Sequence, residues 1–66
     1  MVLALAEEVI GLTEEKAIEL IENKSGMIMY RIVKRDGENF PVTMDYRLDR
    51  INLEITEGIV TYAYVG

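Results

Sequence analysis

The chain has few side chains able to do chemistry. It contains no histidine and no cysteine. Without imidazole it lacks the usual general base and the usual metal ligand. Without thiols it has neither a disulfide framework nor a thiolate zinc site. Ser25 is the single serine, and no base within the chain could activate it as a nucleophile. Asp45 and Asp49 could be imagined as paired catalytic acids, but Arg47 and Arg50 are interleaved with them and no pocket is recognisable. Asp36-Gly37-Glu38-Asn39 offers oxygen ligands without the spacing of a calcium loop, so it reads as a plain turn. The expectation is a protein that is not an enzyme and uses no metal or cofactor.

What remains is one run of mixed polarity, Pro41-Val42-Thr43-Met44-Asp45-Tyr46-Arg47-Leu48-Asp49-Arg50. It lies between two apolar segments that read as strands. From Lys34 to Asp49 there is no helical or regular strand pattern. A connection of that length in a small domain is functional or disordered. Phe40, Val42, Met44, Tyr46 and Leu48 are costly to leave loose in water, which argues against disorder. The segment is therefore either docked on its own body or built to meet a partner.

The run resembles the protease-binding loop of the potato inhibitor I family. In that family the loop presents Val-Thr-(Met or Leu)-(Glu or Asp) to a serine protease. Residues Asp45 to Arg50, followed by Ile51-Asn52, are closer still to a bacterial group of small inhibitors with the same fold. The resemblance covers Glu8 to Gly66 loosely and Pro41 to Asn52 closely. It implies a reactive-site loop of Pro41, Val42, Thr43, Met44, Asp45 and Tyr46. Met44 would be the primary specificity residue, and Met44–Asp45 the bond attacked. A long, apolar, adaptable side chain suits a subtilisin-like or chymotrypsin-like pocket, not one with a buried acid. Pro41 fixes its own φ and biases the preceding residues toward an extended path.

The resemblance also implies support from beneath, with Arg47, Arg50, Asn52 and the C-terminal Gly66 as the candidates. Guanidinium forks can hold carbonyls, a carboxylate and a hydroxyl together. The chain departs from the family where Asn52 replaces a further arginine and Ala63 a proline. A few extra residues fall around Lys34 to Asn39. Plainer alternatives stand beside each reading. Met44 could be a core methionine, and Arg47 and Arg50 could be surface arginines paired with Asp45 and Asp49. A second functional reading is a non-inhibitory interaction module on the same fold, either a regulatory subunit or a small protein that self-associates through the first strand and Tyr62 and Tyr64.

The elements that must position this run follow from periodicity. Sixty-six residues, half of them hydrophobic and 29% charged, make one domain over residues 1–66, near the lower size limit for an unstapled core. Thr13 caps a helix whose first turn holds Glu14 and Glu15, facing the positive end of the dipole. Ala17, Ile18, Leu20 and Ile21 form its apolar side, Glu15, Glu19 and Glu22 its wet side. Asn23 to Gly26 should end it, Gly26 being the left-handed residue. Met27 to Val33 reads as a buried strand. Ile51, Leu53 and Ile55 alternate with polar residues, Glu57-Gly58 is a tight turn, and Ile59 to Val65 returns as a last strand.

The fold expected is α+β: one helix packed on a small twisted mixed sheet, with a long exposed protease-binding loop. The resemblance adds that the strands at Met27 and Ile51 run parallel. The net charge of −5 disfavours nucleic acid as a partner. Met1 to Ala6 is too short for a membrane span and lacks the form of a signal peptide. The expected partner is thus a serine protease, with no nucleic acid and no membrane. The chain itself would be a monomer or weak homo-oligomer, cytoplasmic as it stands and secreted if it has been trimmed. Asn23-Lys24-Ser25 matches a glycosylation sequon, a triplet common by chance.

Overall fold

The computed structural model describes residues 2–24 and 27–66. In chain order the elements are α1 (Val2–Val9), α2 (Glu14–Lys24), β1 (Met29–Arg35), β2 (Glu38–Asn39), β3 (Arg50–Thr56) and β4 (Ile59–Val65). The strands form one mixed sheet in the order β2-β1-β3-β4. The alternating segment found in the sequence, β3, lies inside the sheet. It pairs parallel with β1 and antiparallel with β4.

Register divides the sheet into two faces. Tyr30 lies opposite Ile51, which lies opposite Val65; Ile32, Leu53 and Ala63 form the next row. Because side chains alternate along a strand, these rows point the same way, and they join Leu5, Ala6, Val9, Ala17, Ile21, Ile55 and Val60 in one core. Both helices supply that core, so both cover this face. The other face carries Arg31, Asn52 and Tyr64 in a single row.

The expected single helix is corrected to two. The segment Val2–Val9 is helical, with Leu5, Ala6 and Val9 buried. Its first turn carries no acid and its last no base, so no charge matched to the helix dipole marks its ends. An eight-residue helix is too short to persist alone, and docking against β4 and α2 holds it in place. The second helix starts as expected: the Thr13 hydroxyl accepts from Lys16 N–H at 3.2 Å. The link between the helices is tied to the outer edge of β4. Gly11 N–H donates to Val60 O, and Val60 N–H to Leu12 O, each at 2.8 Å. Gly11 has φ +93°, a left-handed turn that suits a residue without Cβ.

Two further expectations change. The first strand is shifted to Met29–Arg35, and residues 34–49 are not wholly irregular. Lys34 and Arg35 extend β1 and pair with Asn39 and Glu38. Asp36 and Gly37, at φ 50° and 84°, close this hairpin as a two-residue turn of the kind that matches strand twist. Glu57 and Gly58, at φ 51° and 79°, do the same between β3 and β4. The two turns are joined, since Glu57 N–H donates to Asp36 Oδ1 at 2.8 Å. Gly26, expected to end α2, lies outside the described residues, as does Ser25.

Candidate functional site

The segment from Phe40 to Asp49 runs between β2 and β3 and is fastened at both ends. Phe40 N–H donates to Val33 O at 3.0 Å, and Met29 N–H donates to Asp49 O at 2.8 Å. The Arg35 guanidinium lies 5.9 Å from the centroid of the Phe40 ring, within reach of a cation–π contact. Between these anchors every residue from Pro41 to Leu48 is exposed. Met44 stands out most, at 95%, so it is no core methionine.

The support comes from the row of polar groups on the sheet face away from the helices. Asn52 is fully buried. Its Nδ2 donates to Tyr64 O at 3.3 Å and to Gly66 O at 3.2 Å. Its Oδ1 accepts from Arg31 Nε. Arg31 lies directly across from Asn52 on β1, and so its guanidinium is aimed before it meets the loop. There Arg31 Nη1 donates to the Thr43 hydroxyl at 3.1 Å and to Thr43 O at 3.4 Å.

A second guanidinium works on the other side of Met44. Arg50 Nε donates to Gly66 O at 2.8 Å and Nη2 donates to Asp45 O at 2.7 Å. The Asp45 carboxylate lies 3.6 Å from the same Nη2. Gly66 N–H returns to Arg50 O at 3.1 Å, so Gly66 is part of the support. A Cβ at Gly66 would stand 3.1 Å from Asn52 Nδ2, closer than ordinary contact. The two fastenings meet above the sheet, where the Thr43 hydroxyl donates to Asp45 Oδ1. Thr43 and Asp45 are each held, and the residue between them projects into solvent.

Arg47 is a correction. Expected beneath the loop, it turns instead to Asp49, with Nε to Oδ1 and Nη2 to Oδ2 both at 3.0 Å. This is the plain surface pair foreseen as the alternative. Sequence reasoning missed Arg31 in its place. The signal was one cation inside the otherwise apolar Met27–Val33 run. Its meaning needs the parallel register, which periodicity does not supply.

Charge follows the same geometry. The Thr43 hydroxyl is the main cause holding the Asp45 carboxyl below its ordinary value, and the charge of Arg50 acts in the same sense. Arg47 lowers Asp49 by hydrogen bonding, and Asp49 raises Arg47 in return. Beside the loop, Tyr46 and Leu48 line an apolar groove of about 480 Å³ with Val2, Leu3 and Val65. Among the described residues no group of acids could hold a metal ion, and no helix is long and apolar enough to cross a membrane. No protein-family model matches the chain, and no curated protein matches it.

Proposed function

We propose that this protein is a substrate-like inhibitor of serine proteases of the subtilisin or chymotrypsin type. It would present the Met44–Asp45 bond on a preorganised loop, in the manner of the potato inhibitor I family. The observation that carries the reading is the pair of fastenings flanking Met44. Arg31 holds Thr43 and Arg50 holds Asp45, while Met44 itself is 95% exposed. The parallel pairing of β1 with β3, bridged by this segment, supports the family fold.

Such a loop would add backbone hydrogen bonds along a protease cleft, with Met44 filling the primary pocket. A segment already held in its bound shape loses less entropy on binding. If the Met44–Asp45 bond is cut, Arg50 still grips Asp45 and Arg31 still grips Thr43. The new amine then stays beside the acyl-enzyme, and religation competes with hydrolysis at high effective concentration. The fastenings therefore bear on retention as well as on binding.

The test is to titrate the protein and its Met44→Asp variant into subtilisin and chymotrypsin and follow residual activity. The variant should lose inhibition by about two orders of magnitude or more, because a carboxylate would be desolvated in an apolar pocket. Its thermal unfolding should not change. Equal inhibition by the two proteins would rule out Met44 as the primary contact.

The second reading, a self-associating interaction module without a protease target, is favoured by one observation. Tyr62 and Tyr64, 52% and 38% exposed, sit with ring centroids 5.6 Å apart on the outermost strand. It requires unaltered protease activity together with a molecular weight that rises with concentration in sedimentation equilibrium. A monomer over the same range would exclude it.

A further inference from the structure

The fastenings of the loop act on Thr43 and Asp45 and leave the Met44 thioether in solvent. Of the other methionines among the described residues, Met27 and Met29 are less exposed, at 79% and 40%, against 95% for Met44. Met44 is not among the residues that build the core. A change at its sulfur therefore leaves the packing and the support untouched, while altering the one side chain meant for an apolar pocket.

We propose that Met44 is a site of reversible oxidation, and that its sulfoxide weakens the inhibitor without unfolding it. This rests on the inhibitor reading above. In the forward step a peroxide transfers one oxygen to the thioether. The O–O bond breaks, an S=O bond forms, sulfur gives up two electrons, and hydrogen peroxide leaves as water. In the reverse step two thiols supply two electrons, becoming a disulfide, and the oxygen leaves as water. Methionine sulfoxide reductases catalyse that return, one enzyme for each sulfoxide epimer.

The consequence follows from polarity. A thioether is apolar and adaptable, whereas a sulfoxide is polar and must shed water to enter an apolar pocket. That penalty corresponds to a loss of about ten- to a hundredfold in affinity. Thr43 and Asp45 keep their partners throughout, so the oxidised form remains a folded, supported domain. Reduction restores it without resynthesis.

The experiment treats the whole protein with dilute hydrogen peroxide and maps oxidation by peptide mass spectrometry. Thermal unfolding and inhibition of subtilisin are measured at each time point. Met44 should oxidise first, with an unchanged melting temperature and a ten- to hundredfold weaker inhibition. Reductases for both epimers should restore inhibition. Met44→Leu, whatever its own starting strength, should not respond to peroxide. The Met27→Leu, Met29→Leu double variant should respond as the original does.

Earlier oxidation of Met27 or Met29, inhibition undiminished by the Met44 sulfoxide, or peroxide sensitivity persisting in Met44→Leu would each overturn the switch alone. Absence of inhibition before any oxidant is added would instead overturn the inhibitor reading, and the switch with it.

Discussion

Asn52 is buried with its amide satisfied: Oδ1 by Arg31, Nδ2 by the carbonyls of Tyr64 and Gly66, which offsets its desolvation. One short polar side chain thus fixes the direction of a long cation and the position of Gly66, and Arg50 uses the Gly66 carbonyl as its own footing. Arg50 and Arg47 look alike in sequence and differ in place. The Arg50 side chain is 10% exposed and grips the Asp45 carbonyl; that of Arg47 is 43% exposed and grips Asp49. Arg50→Ala should speed protease cleavage at Met44–Asp45 by about ten- to a hundredfold, from loss of a charge-assisted hydrogen bond. Arg47→Ala should change it little, since exposed pairs contribute little. Equal acceleration by the two variants, read by mass spectrometry, would contradict this assignment. Asp45 adds a pH dependence. Its carboxyl is lowered from 3.8, so the charged form is favoured by folding. Its contribution is complete above the unfolded value and is lost as pH falls through the lower, folded one. A carboxyl titration by NMR should show a midpoint below 3.8; a midpoint at or above it would mean the Thr43 contact does not form in solution.

Among the elements, those with their own periodicity were legible before the structure. The alternation in β3, the Thr13 cap of α2 and the Glu57-Gly58 turn are local signals, and each stands where it was expected. Helix α1 was not legible, because a short apolar run without caps becomes helical only by docking. The β1–β2 hairpin is obscure in the sequence because Asp36-Gly37 marks a turn while the two-residue strand after it is too short to show alternation. The candidate site divided in the same way. Its exposed residues could be picked out by composition and resemblance. Its support depends on Arg31 meeting Asn52 across a parallel pair, a contact no local pattern encodes. The unexpected helix also makes its own prediction. Leu5 is 3% exposed within the shared core, so Leu5→Ala should destabilise the fold by about 2–5 kcal/mol. A loss below about 1 kcal/mol in denaturant unfolding would show that α1 is not part of the cooperative unit.

For the molecule as a whole, the two faces of one sheet have separate duties. The helices seal an apolar core against one face, and the other presents Arg31, Asn52 and Tyr64 in a row beneath the loop. A cysteine-free chain of 66 residues has little stability to spare. Separating the core from the exposed segment that carries Met44 lets that residue change without touching the packing. The loop keeps its shape through side chains that the core does not need.

The most direct test of a supported inhibitory loop is the fate of the Met44–Asp45 bond under prolonged exposure to subtilisin. The protein would be incubated with a small amount of enzyme, its intact and cut forms quantified by mass spectrometry, and enzyme activity followed alongside. Slow, partial cutting confined to Met44–Asp45 is expected, settling at a stable mixture while the enzyme stays blocked. Rapid digestion to completion with recovery of enzyme activity would contradict it.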